Sequence, residues 1–209
     1  LLISLLALVG LSACKEASQA ESKNKEKQLK IVATFYPMYD FTKNIVGDAG
    51  EVSLLMPAGT EPHDYEPSAK DMAKITEADA FVYHNENMET WVPSAIDSWK
   101  KGKPNVIEGT KEMLLLPGGE EEHDHSHEED HHHELDPHTW LSPHQAIKEV
   151  TSIKNQLVKL YPEKKAIFET NAKNYLAKLE GLDKNYTDTL KEAKQKNFVT
   201  QHTAFSYLA

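Results

Sequence analysis

Cysteine is almost absent from this chain: Cys14 stands alone among 209 residues. One cysteine permits no intrachain disulfide and no cysteine-based zinc site. Arginine is missing altogether, so the 23 basic residues are all lysine, set against 33 acids for a formal net charge of −10. No basic stripe of the kind that grips nucleic acid is present. Solenoid-type repeats are absent, and no His-Glu-x-x-His helix points to a zinc protease. The apolar or small stretch before Cys14 is 13 residues long, short of the roughly 20 that span a bilayer.

That opening stretch reads as an address. Leu1 to Gly10 is apolar, and Leu11-Ser12-Ala13-Cys14 follows. It has the character of a secretory h-region with small residues at the cleavage point. With no initiator Met and no basic n-region, residues 1–14 are expected to be part of a signal. Leu-Ser-Ala-Cys resembles a bacterial lipobox, which makes Cys14 the expected lipidation site and membrane anchor. Residues 15–29, rich in Lys, Glu, Ser, Asn and Gln, read as a flexible tether.

From Leu29 the chain alternates short apolar runs with helical patterns. Leu29–Phe35, Glu51–Met56, Ala80–Tyr83 and Asn105–Ile107 read as strands, being short and rich in β-branched and other apolar residues. Helices are expected from Pro37 to about Val46, from Ala69 to Ala78 behind a Ser68 cap, and from Met88 to Trp99. Such alternation implies an α/β lobe with a largely parallel sheet over residues 30–161. Ala146, Ile147, Val150, Ile153, Leu157 and Leu160 recur at helical spacing between Ser142 and Tyr161. A further helix from Pro162 to about Ala193 would run roughly 48 Å and suits a connector between lobes. Phe198-Val199-Thr200 reads as the first strand of a second lobe, residues 194–209, which is expected to be truncated at Ala209.

Residues 120–134 interrupt this order with EEEHDHSHEEDHHHE. Ser126 is the one member that is neither His nor a carboxylate. The run holds eight acids and no base, so −10 for the chain leaves −2 for the rest. It cannot bury a core. Its imidazoles (His123, His125, His127, His131, His132, His133) and carboxylates suit transition metals. The expectation is an accessory metal loop inserted before His138.

Five histidines lie outside the run. His63 follows Glu61-Pro62, His138 follows Asp136-Pro137, and His202 sits in Thr200-Gln201-His202-Thr203. All three are placed in loops or strand ends of the kind where α/β folds bind ligands. The prolines restrict the backbone before His63 and His138, lowering the entropy lost on fixing a ligand. Asp64 and Asp136 could orient these histidines, but capping of turns is the plainer reading. His84 and His144 lack comparable context and read as ordinary polar residues.

Ile31-Val32-Ala33-Thr34-Phe35-Tyr36-Pro37, Pro62-His63-Asp64-Tyr65-Glu66-Pro67, residues 136–143 (DPHTWLSP) and residues 202–208 (HTAFSYL) together resemble the zinc-binding lipoproteins of bacterial ABC importers. This is the AdcA/ZnuA type among cluster A-I solute-binding proteins. The resemblance covers Leu29 to Ala209, and the lipobox and acidic His loop fit it. It implies two α/β lobes joined by a long rigid helix, with metal in the cleft between them. It also implies His63, His138 and His202 as ligands, and a fourth ligand beyond Ala209. Three neutral imidazoles with one oxygen suit tetrahedral Zn²⁺, whereas Mn²⁺ prefers more oxygens. Zn²⁺ is therefore the expected metal.

The resemblance further implies a monomeric, lipid-anchored extracytoplasmic protein that captures zinc for a membrane permease. It implies no enzymatic activity and no nucleic-acid partner. Two other classes compete: a surface metal buffer or adhesin built on the acidic His run, and a zinc hydrolase using a metal-bound water. Against the hydrolase stands the lack of a positioned general base or nucleophile motif. A manganese-binding homologue is the further alternative.

Overall fold

The computed structural model describes residues 28–99, 104–118 and 135–209. Both the Cys14 lipobox and the 120–134 run lie outside these residues.

Four parallel strands form the frame: β1 (Leu29–Ala33), β2 (Gly50–Leu54), β3 (Ala80–Tyr83) and β4 (Asn105–Glu108), in the order β2-β1-β3-β4. Register is fixed by pairs such as Ile31 with Val52, Val32 with Phe81, and Phe81 with Val106. The strands buried in the middle alternate their side chains between two cores. Ile31, Ala33, Ala80 and Val82 point to one face, Val32 and Phe81 to the other. Both faces are thus covered, as a parallel sheet requires.

The larger core is closed by three helices: α1 (Tyr36–Val46), α4 (Pro143–Leu160) and α5 (Lys165–Lys191). Met38, Phe41 and Ile45 of α1 meet Val150, Ile153 and Leu157 of α4, with Phe168 and Ala172 from α5. The smaller core packs Ile75 of α2 (Ala69–Thr76) and Val92 of α3 (Val92–Ser98) on Phe81, with Trp91 and Trp99 around it. The Ser68 cap of α2 is reciprocal: Asp71 N–H donates to the Ser68 hydroxyl at 3.2 Å, and Ser68 N–H donates to the Asp71 carboxylate at 3.0 Å.

Helix α5 covers 27 residues, about 40 Å at 1.5 Å per residue. Its first half belongs to the core, and its second half exposes Leu182, Tyr186 and Leu190. Asn171 of α5 reaches the C-terminus of α1, donating from Nδ2 to the Ile45 carbonyl at 3.1 Å. Gly47, at φ +52°, makes room for it, since a Cβ there would lie 2.6 Å from that nitrogen. Among the described residues, no helix is long and apolar enough to cross a membrane.

Two expected elements differ. The helix placed from Met88 begins at Val92, because the Asn85 side chain first builds a turn: its Oδ1 accepts from Asn87 N–H at 3.0 Å and Met88 N–H at 3.1 Å. Phe198-Val199-Thr200 forms no strand. Phe198 is 59% and Val199 98% exposed, and no neighbouring strand among the described residues supplies the ladder that an extended run needs.

Candidate metal centre

In a parallel sheet ordered β2-β1-β3-β4, strands are added to one side of β1 first and then to the other, so the strand order reverses between β1 and β3. Ligands bind outside the carboxyl ends of the strands at such a point. The loop after β2 carries His63. The turn before α4 carries His138, and the segment after α5 carries His202. These three side chains converge. His138 Nε2 lies 3.1 Å from His63 Nε2 and 2.9 Å from His202 Nε2. One ligand-capable atom from each lies within 4.8 Å of the others. The rings meet edge to face or nearly so, with centroids 4.7–5.7 Å apart.

Their environments are unequal. His138 is buried at 6% exposure, while His63 and His202 are exposed. The buried carboxylate of Asp136 accepts the His138 ring Nδ1–H at 2.8 Å and its backbone N–H at 2.9 Å, both on Oδ1. Asp136 therefore caps the turn, the plainer sequence reading, and also orients the ring. With the proton held on Nδ1, the Nε2 lone pair faces His63 and His202. Burial moves the His138 pKa below the ordinary histidine value. The Asp136 carboxylate opposes that shift, and the neighbouring imidazoles add to it. Asp64, by contrast, is exposed.

Behind His138 lies a network that the sequence reading passed over. His84, at the end of β3, is wholly buried. Its Nε2 faces the Pro137 carbonyl at 2.5 Å, and its Nδ1 faces Glu149 Oε2 at 3.4 Å. The carbonyl can only accept, so Nε2 carries a proton. Burial opposes a charge on this imidazole, but the Glu149 and Glu89 carboxylates and the Pro137 carbonyl together outweigh it, and the His84 pKa is raised. Glu149 Oε1 accepts from the Thr139 hydroxyl at 2.6 Å. Pro137 and Thr139, the two neighbours of His138, are thus both held by this His–Glu pair. Trp140 packs edge-on against His84 and Phe35 and lies beside the His138 ring.

A second buried carboxylate, Glu89, fixes His84 in turn. It accepts from the Thr34 hydroxyl at 2.5 Å, from His84 N–H at 3.1 Å and from Asn85 N–H at 3.1 Å. Burial raises its pKa, and His84 works against that rise. The network thus ties the ends of β1 and β3 to helix α4 and the His138 turn. One sequence signal for it existed: Glu149 interrupts the apolar stripe Ala146, Val150, Ile153 at helical spacing, where a carboxylate needs a buried partner. His144 lies elsewhere, on the surface, 3.9 Å from the Asp183 carboxylate.

Known proteins share this sequence and fold. The family model described as zinc-uptake complex component A, periplasmic (ZnuA), matches residues 31–209. The zinc-binding lipoprotein AdcA of Streptococcus pneumoniae is 57% identical over 211 residues, covering 100% of this chain and 41% of that protein. The high-affinity zinc uptake system protein ZnuA of Bacillus subtilis is 51% identical, covering 95% of this chain and 63% of that protein. The crystal structure of Zn(II)-bound AdcA from S. pneumoniae superposes with a TM-score of 0.79 at 56% identity, over 87% of this chain and 37% of that one. The chain spans less than two thirds of the length of these relatives, whose names describe zinc binding and uptake and not catalysis. On this evidence the chain belongs to the ZnuA family, zinc-uptake complex component A.

Proposed function

We propose that this protein captures Zn²⁺ outside the cytoplasm and delivers it to the membrane permease of an ABC importer, held to the membrane by a lipid on Cys14. The observation that carries the reading is the convergence of His63, His138 and His202 on one point. Zinc bound at about 2.0–2.1 Å in a tetrahedron sets its imidazole nitrogens roughly 3.4 Å apart. The separations of 2.9 and 3.1 Å around His138 Nε2 are within a few tenths of that value. A zinc ion needs only a small outward movement of the exposed His63 and His202.

The chain's own groups prepare the capture. Burial favours the neutral His138 ring, the form that binds metal. Asp136 holds its proton on Nδ1 and leaves Nε2 open, the arrangement usual for a zinc-bound imidazole. Three nitrogens favour Zn²⁺ over Mn²⁺. The remaining tetrahedral position is left for a carboxylate or a water. The 120–134 run serves in this reading as a loop that gathers zinc near the site.

Calorimetry on metal-stripped protein tests the proposal. One tight zinc site is expected, surviving deletion of residues 120–134 and lost in the triple variant His63→Ala, His138→Ala, His202→Ala. Tight binding that persists in the triple variant and vanishes with the deletion would instead make the acidic run the site.

A further inference from the structure

Resting on the zinc-capture reading, we propose that Tyr207 is a positioning residue of the metal centre, clasping the segment that bears His202 onto the residue that orients His138. Its phenol oxygen stands between two backbone groups. It accepts from Leu116 N–H at 2.8 Å and donates to the Asp136 carbonyl at 2.7 Å. The same two residues are joined directly, Asp136 N–H donating to the Leu116 carbonyl at 2.8 Å. A single bridge between Pro117 and Leu135 lies beside them. One hydroxyl therefore satisfies a donor and an acceptor on two chain segments at once.

The position gives this clasp its function. Asp136 carries the carboxylate that holds the His138 ring. Tyr207 lies five residues after His202, across a compact turn: Ala204 N–H donates to the His202 carbonyl at 2.9 Å and Leu208 N–H to the Phe205 carbonyl at 3.0 Å. Ala204, inside the turn, is buried. The route from one imidazole to the other is thus His202, turn, Tyr207, Asp136, His138. These two Nε2 atoms stand 2.9 Å apart, yet their segments are 64 residues apart in sequence. An error of about 1 Å in either segment would spoil a tetrahedral site, and the clasp sets the one segment against the other. Phenylalanine fills the same space and makes neither hydrogen bond.

The test uses Tyr207→Phe in the zinc-loaded protein, with release of zinc to excess chelator followed by stopped flow and affinity measured by competition. Release about tenfold faster is expected, the weight of one to two ordinary hydrogen bonds, with one zinc still bound per molecule. The metal-free variant should melt within about 4 °C of the parent, as a change of this size allows. If Tyr207 acts through Asp136, its substitution should matter less than about twofold in an Asp136→Ala background, since coupled residues are not additive. Release at the parental rate overturns the clasp, as does an undiminished effect in the Asp136→Ala background. A lower melting point with unchanged release also overturns it, leaving a structural role alone. The zinc-capture reading fails separately, if the parent's zinc site survives loss of all three histidines.

Discussion

Replacing Asp136 by alanine should weaken zinc binding about thirtyfold while leaving the fold in place. The Asp136 carboxylate is 3% exposed and accepts the His138 ring Nδ1–H at 2.8 Å. A hydrogen bond to a charged group contributes about 1.5–3 kcal/mol. A loss of about 2 kcal/mol is roughly thirtyfold in affinity, because about 1.4 kcal/mol is tenfold. That falls inside the range of about 10–100-fold usual for groups that orient a metal-bound imidazole. The ring would be free to rotate and to carry its proton on either nitrogen. Asp136→Asn should do less harm than the alanine. Its amide oxygen can still accept both the backbone N–H and the ring Nδ1–H of His138, which share one carboxylate oxygen, and only the charge that strengthens them is lost. The assay is competition against a chelator of known affinity, at neutral pH, on metal-stripped protein. Asp64→Ala, at an exposed neighbour of His63, serves as the control and should change affinity by less than about twofold, as surface substitutions usually do. If Asp136→Ala binds zinc as tightly as the parent, the carboxylate only caps a turn, and the orienting role assigned to it is wrong.

Two further outcomes follow from buried polar groups. Thr139→Val keeps the shape of a buried side chain but leaves Glu149 Oε1 without its donor at 2.6 Å. Urea unfolding of the metal-free protein should show a loss of about 2 kcal/mol, with Thr139→Ser nearer the parent, and equal stabilities for the two variants would remove the hydroxyl from the argument. Alkaline pH should also destabilise the fold. Burial, with a nearby Asp71, pushes Tyr65 up to about 12, and burial with neighbouring carboxylates raises Tyr83 and Tyr175 too. Unfolded tyrosine ionises near ~10, so this contribution is whole below that pH and is lost as pH rises toward the folded values. Unfolding midpoints unchanged between pH ~8 and ~11 would contradict it.

The central strands of the sheet were legible because most of their side chains are buried on both faces, giving short apolar runs such as Ala80–Tyr83. The helix Ala69–Thr76 was legible from its Ser68 cap. Phe198-Val199-Thr200 has the residue types that fit a pleated surface, but a strand also needs a partner, and none lies beside it among the described residues. Convergence of His63, His138 and His202 could be expected from the family resemblance, but their spacing alone could not supply it. The network behind them was hidden for a different reason. His84, Glu89 and Glu149 look like surface residues by type, since such groups are seldom fully buried unless paired. Their pairing is a property of the β3 end meeting α4 in space. Tyr207 was equally silent, because its partners are backbone groups that any sequence has.

The burial of His138 has a consequence for which residues govern the site. The ring is gripped from behind by Asp136 and flanked by Trp140. The turn that carries it is held by His84 and Glu149, themselves wholly buried. Metal affinity therefore answers to side chains that never touch the ion, and interior substitutions as far back as Glu89 would be read at the metal.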